Sequence, residues 1–277
     1  MSSSRQARAL ALSCHPLPSV AVSALGAGLA ALAGLPVGRV VLVMMAVFTG
    51  QLSIGWSNDY LDAERDRVAR RADKPVAAGA VAPRVAGAAA VVALIVSLPL
   101  SAALGWRGGA AALVIVLCGW LYNLGLKATA LSWLPYAIAF GMLPAVATLS
   151  ASPARWPAGW ALTAGALLGV AAHLANVLPD VREDVATGVR GLPHRLGTRA
   201  TALTAAAILL AVSAVVLFGP GAQPGRWRWS GFAAAVMVAG TASATAYRDP
   251  SSRWLFPATI LMAAMNVVFF ALSGTSL

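Results

Sequence analysis

The chain has 277 residues, 59% of them hydrophobic and only 10% charged, with a mean hydropathy of +0.77. A soluble domain carries about a quarter charged residues, so the composition excludes an ordinary soluble fold and indicates a polytopic membrane protein. The net charge of +11 invites a nucleic-acid reading, but the placement of the basic residues along the chain argues against one.

Nine apolar stretches approach the ~20 residues that a membrane-crossing helix needs, at about 17–35, 38–57, 83–104, 109–125, 132–150, 158–179, 199–218, 230–247 and 254–273. They predict an all-α polytopic membrane protein with about nine transmembrane helices. No Ser/Gly/Pro-rich linker divides the chain, so residues 1–277 read as a single domain. Arg5 and Arg8 ahead of an apolar run resemble a signal peptide. That run is long and lacks a clear cleavage site, which favours a first membrane helix. With the N-terminus in the cytoplasm, fifteen Lys/Arg residues fall on the cytoplasmic side and five (Arg39, Arg107, Arg155, Arg226 and Arg228) on the other. This asymmetry is the positive-inside pattern of a multi-pass cell-membrane protein. All nine acidic residues share the cytoplasmic side. Cys14 and Cys118, the only cysteines, sit in contexts that give no disulfide framework.

The chemistry concentrates where the second and sixth stretches end. There the chain reads Asn58-Asp59-x2-Asp62-x3-Asp66 and, later, Asn176-x3-Asp180-x3-Asp184. Positions four apart stack on one helix face, so each Asn-x3-Asp-x3-Asp set aims an amide and two carboxylates in one direction, and Asp59 joins the first set. Both clusters open on the cytoplasmic side, as if two helix sets faced each other across a central cavity. Carboxylates near hydrocarbon cost roughly 2.5–3.5 kcal/mol on insertion scales and normally mark a functional site. Mg²⁺ bridging to phosphate oxygens is the usual reason for such a set.

These motifs resemble the two aspartate signatures of the UbiA superfamily of intramembrane prenyltransferases. Lys74-Pro75-Val76-Ala77-Ala78-Gly79 is similar to that family's basic segment after the first motif, and Tyr122-Asn123-Leu124-Gly125-Leu126-Lys127 to its Tyr…Lys element. The resemblance implies Mg²⁺-dependent transfer of a prenyl group from a polyprenyl diphosphate to a small aromatic acceptor. Asp59, Asp62 and Asp66 would hold one Mg²⁺ and Asp180 and Asp184 a second, supported by Asn58 and Asn176. Lys74, Lys127 and Arg190 are the candidate diphosphate contacts, with Arg67 and Arg182 behind them. An arginine here serves equally as a positive-inside loop residue. Trp56 and Tyr122 could stabilise an allylic cation or anchor the membrane interface. His173 and His194 stay unassigned, and His15 has no context. The implied partners are a prenyl diphosphate donor, a hydrophobic or aromatic acceptor and membrane lipid, without nucleic acid. A membrane terpene cyclase on the same scaffold is the alternative. A transporter would place its charges near the bilayer midplane instead.

Overall fold

A computed structural model describes residues 3–186, 188–221, 226–249 and 254–272. It is 80% helical, and no strand occurs among the described residues. The helices are α1 (Ser3–Leu12), α2 (Pro16–Leu32), α3 (Val37–Val68), α4 (Pro83–Ala102), α5 (Trp106–Leu124), α6 (Leu134–Leu149), α7 (Gly159–Val177), α8 (Val181–Ala186), α9 (Leu192–Leu196), α10 (Thr198–Phe218), α11 (Arg226–Arg248) and α12 (Leu255–Leu272). Proline opens α2, α4 and α6 at a position where its missing N–H costs nothing.

The long helices fall where the apolar stretches do. Five of them (α3, α4, α5, α7 with its terminal turn, and α10) are long and apolar enough to cross a membrane, and the bent pair α1–α2 makes a sixth. α6 and α12 are shorter apolar helices. The expected nine spans are therefore shown for five to six.

Two element boundaries differ from expectation. The second stretch does not end at residue 57: α3 runs on to Val68, so the whole first acidic cluster lies on one continuous helix. At ~1.5 Å per residue its 32 residues span about 48 Å, more than the ~30 Å hydrocarbon core. Its polar last turns can therefore stand clear of lipid. The second cluster is interrupted. α7 stops at Val177, Leu178–Asp180 form a 3₁₀ turn, and α8 follows, because Pro179 lacks the N–H that would continue the ladder.

α2, α3, α5, α6, α7 and α12 ring a central cavity, while α4 packs outside α3, and α10 and α11 pack beyond α7 and α12. Small residues bring the ring together: Ala30, Ala46, Ala112, Ala145 and Ala147 are buried in one core cluster with Val43, Leu143 and Val146. Lipid tails are as apolar as leucine, so close backbone approach and dispersion hold such helices together. α1 lies over the loop between α3 and α4, its Ala9 and Leu10 packed with Val76, Val81 and Ala86.

Candidate functional site

The cavity measures about 640 Å³, and its two ends differ in chemistry. One end gathers Asn58, Asp59, Asp62, Tyr122, Lys127, Asn176, Asp180 and Asp184, with Lys74 from the loop between α3 and α4. The other is apolar, walled by side chains such as Leu25, Ile115, Phe140, Leu168, Ile260 and Val267. Both motifs thus converge on one space.

Helix spacing does the local work on α3. Asn58 and Asp62 stack one turn apart, and the Asn58 amide donates to Asp62 Oδ2 at 3.1 Å. Asp62 Oδ2 also accepts from Arg65 at 2.8 Å, and its other oxygen meets Lys127 Nζ at 2.5 Å. Asp59 faces His15, with Nε2 and Oδ1 3.0 Å apart, and Lys74 at 3.5 Å. His15 reaches it because Gly55, one turn before Asp59, leaves no Cβ to collide with the Cys14 backbone. Lys74 makes its closer ion pair with Asp66, at 2.7 Å.

The second cluster joins the first through Arg71, whose guanidinium grips Asp73 at 3.0 and 3.1 Å and reaches Asp180 at 3.3 Å. Asp184 Oδ2 lies 3.2 Å from Nε2 of the buried His194. The α9 segment carrying His194 is fixed from behind: Leu192 N–H donates to Ser132 Oγ at 2.8 Å, and that hydroxyl pairs with His173 Nε2 at 3.0 Å. His173 sits behind the cavity wall rather than on it, edge-on to Tyr122 and tilted against Tyr136. Tyr136 and Asn176 both line the cavity.

Burial pushes the Lys127 ammonium below the ordinary lysine value, and Asp62 offsets only part of this. Burial also acts against the charge on Lys74, but Asp59 and Asp66 outweigh it and hold that ammonium above the ordinary value.

Of the expected site residues, Asn58, Asp59, Asp62, Lys74, Tyr122, Lys127, Asn176, Asp180 and Asp184 come together on the cavity. Three residues singled out from the sequence do not line the cavity. Asp66 does not line it; the helix turns its carboxylate toward Lys74 and Arg65. Arg190 is exposed and follows the wall residue Val189 without lining the cavity itself, its carbonyl accepting from Arg195 at 3.1 Å. Trp56 also misses the wall, and its indole N–H donates to the Leu10 carbonyl at 2.8 Å, tethering α1. Arg67 is exposed and paired with Glu64, while the side chain of Arg182 lies outside the described residues. Sequence reasoning missed His15, Arg65, Arg71 and Tyr136 as cavity residues. Arg65, set between Asp62 and Asp66, carried a usable signal. His15 arrives from the turn between α1 and α2 and Tyr136 from α6, and neither carried one.

Among the described residues, no three His, Cys, Asp or Glu side chains form a metal-holding group. The donor set nevertheless fits Mg²⁺, which prefers oxygen ligands, retains waters and commonly takes one or two carboxylates together with phosphate oxygens. Asp59, Asp62, Asp180 and Asp184 all line the cavity, as do Asn58, whose amide donates to Asp62, and Asn176.

The sequence profile of the UbiA prenyltransferase family matches residues 19–272, and the chain belongs to that family. No match is found among curated proteins. Among solved structures, an apo UbiA homolog from Aeropyrum pernix K1 is similar, with a TM-score of 0.75 and 18% identity over 92% of this chain and 97% of that one. A UbiA homolog from Archaeoglobus fulgidus bound to GPP and Mg²⁺ has a TM-score of 0.73 and 14% identity, over 95% and 98%. A digeranylgeranylglyceryl phosphate synthase has a TM-score of 0.68 and 15% identity, over 96% and 98%. At these identities the likeness establishes the fold.

Proposed function

We propose that the protein is a Mg²⁺-dependent intramembrane prenyltransferase that moves an isoprenoid chain from its diphosphate to a small aromatic acceptor. One observation carries the proposal: a single cavity joins a polar end, holding both aspartate motifs and both lysines, to an apolar end. The donor has that same division, a charged diphosphate on a hydrocarbon tail. The family membership and the GPP- and Mg²⁺-bound homolog support it.

Asp59, Asp62 and Asp66 with Asn58, and Asp180 and Asp184 with Asn176, would hold the metal ions, Asp66 exchanging its Lys74 partner for the metal. Bound Mg²⁺ supplies Lewis-acid neutralisation of the charge that builds on diphosphate as the allylic C–O bond breaks. Lys74, Lys127, Arg65 and Arg71 exchange carboxylate partners for phosphate oxygens and donate charge-assisted hydrogen bonds to the leaving group. The apolar walls exclude water that would otherwise quench the cation, and the face of Tyr122 stabilises it. A ring carbon of the acceptor then bonds to the allylic carbon, and the proton it sheds passes to the departed diphosphate.

The same reading takes residues 1–277 as one domain and the apolar helices as nine spans in the cell membrane, with the polar end of the cavity toward the cytoplasm. Diphosphate release tests it, measured on purified protein in detergent with geranyl, farnesyl and geranylgeranyl diphosphates, with and without Mg²⁺ and aromatic acceptors. Release that needs Mg²⁺, acceptor, Asp62 and Asp180 is expected. Release without acceptor that yields a cyclic hydrocarbon would replace the transferase with a cyclase, and no release from any donor would end the proposal.

A further inference from the structure

Between Thr49 and Ser57, α3 carries polar side chains at membrane depth, and all but one of them are committed. Thr49 Oγ1 donates to the Met45 carbonyl, Ser53 Oγ accepts from the Trp120 indole N–H, and Ser57 Oγ donates to the Ile54 carbonyl, each at 2.9 Å. Gln51 is the exception. It is half-buried on the cavity wall, and among the described residues its amide has no hydrogen-bond partner. A polar group left unanswered at that depth is costly, and one that faces a cavity is there to meet something in it.

The packing of α3 sets where Gln51 stands. It shares a helix face with Gly55, Asn58 and Asp62, and of the α3 residues on the wall it lies farthest from the acidic motif, about 10 Å from Asn58 along the axis. Glycines draw the neighbouring helices in on both sides of it. Gly55 meets Cys14 and Gly26 meets Val47, which fixes α2; Gly50 meets Val116 and Gly119 meets Ile54, which fixes α5. These two helices bring Ser19, Val22, Ile115 and Gly119 to the wall, and the Ser19 hydroxyl is already given to the Cys14 carbonyl at 2.9 Å. Gln51 therefore presents an open donor and an open acceptor between the carboxylates and the apolar end. The cations are placed otherwise. His15, Arg65, Arg71, Lys74, Lys127 and His194 each pair with an aspartate at the polar end, and the wall carries no other basic side chain among the described residues.

We infer that the acceptor is an uncharged aromatic compound whose hydroxyl or carbonyl group hydrogen-bonds the Gln51 amide, and that Gln51 selects against acceptors bearing a carboxylate. An amide both donates and accepts, so it serves either group. A carboxylate at this level would enter a water-poor space with no cation to answer it. The aspartates and the donor diphosphate would repel it, and the diphosphate would have drawn on the nearby cations already. The inference rests on the prenyl-transfer reading above and names the class of acceptor that reading leaves open.

The test measures prenylated product at saturating donor with acceptors matched in shape: para-hydroxybenzamide against para-hydroxybenzoate, and dihydroxynaphthamide against dihydroxynaphthoate. In wild type, kcat/KM should favour the uncharged member of each pair about a hundredfold or more, since a site that leaves a buried polar group unanswered discriminates at least that strongly. Gln51→Arg should reverse the order by supplying the missing cation. Gln51→Leu should raise KM for the amides about tenfold with KM for the donor unchanged, a split that a merely structural role would not produce. Wild type that takes the acids as readily as the amides overturns the inference, as does an order that Gln51→Arg leaves unmoved. Should the arginine variant fail to fold, Gln51→Leu decides, and an unchanged KM for the amides overturns the role of Gln51. Prenylated product from none of the four compounds overturns the aromatic-acceptor reading itself, and the inference with it.

Discussion

Arg71 reaches across the cavity mouth to Asp180, Nη2 to Oδ2 at 3.3 Å, with only 10% of its side chain exposed. It belongs to the loop that follows α3, and Asp180 ends the 3₁₀ turn after α7, so this contact ties the two acidic motifs together. Arg71 also stands where a diphosphate between the motifs would arrive. Replacing it with alanine should raise KM for the donor roughly tenfold while leaving the melting temperature within a few degrees, because Asp73 and Asp180 remain solvated at the mouth. Lysine should recover only part of the affinity, since it lacks the planar fork. Steady-state diphosphate release with varied donor measures both.

Asp62 holds three partners, Asn58, Arg65 and Lys127, in a nearly buried position. Asp62→Asn keeps the shape but strands the Lys127 ammonium. It should cost about 3 kcal/mol of stability and abolish turnover. Adding Lys127→Met removes the stranded charge and should restore much of the stability without restoring turnover. Recovery of activity in the double variant would mean that Asp62 serves only to neutralise Lys127.

The two lysines carry opposite pH linkage. The Lys74 ammonium is held above the ordinary lysine value, so its contribution is complete below pH ~10.4 and is lost only as pH rises through its higher folded value. The Lys127 ammonium is held below, so its charge costs stability at neutral pH, and the cost is relieved as pH climbs from its lowered folded value toward ~10.4. In metal-free protein, wild type should therefore gain in melting temperature on Lys127→Met as pH rises from about 8 to 10. The deficit of Lys74→Met should stay constant over the same range. Tryptophan fluorescence melts at stepped pH follow both.

Trp56 separates a tether from a cation-stabilising ring. Its N–H holds the Leu10 carbonyl, and it does not line the cavity. Trp56→Phe keeps an aromatic face and loses the donor. Hydrogen exchange should therefore quicken in α1 and in the loop it covers, while kcat changes less than about threefold; one buried hydrogen bond is worth about 1 kcal/mol. A large fall in kcat with unchanged exchange would reinstate the ring as a catalytic group.

Removal of divalent metal should silence diphosphate release. Chelation is expected to bring the rate to background, Mg²⁺ to restore it, and Ca²⁺ to restore little, because its longer and looser coordination suits the paired carboxylates less well.

The sequence alone determined that the chain is helical and built for a membrane, and that two acidic motifs share one side of it. Those features are local: apolar length decides what can enter lipid, and a spacing of four decides what shares a helix face. It thereby made Asn58, Asp59, Asp62, Asn176, Asp180 and Asp184 legible, and the two lysines stood out by rarity. Only the tertiary structure decided which basic group answers which carboxylate. Asp66 turns to Lys74 because α3 stays helical to Val68, and Trp56 serves α1 because that helix folds back over the loop. His15, in the turn ahead of α2, and Tyr136, on α6, come from elements distant in sequence from the motifs. No pattern along the chain records their arrival, because it depends on how closely α2 and α3, and α6 and α7, approach each other, and missing Cβ atoms at Gly55, Gly165 and Gly169 set that approach.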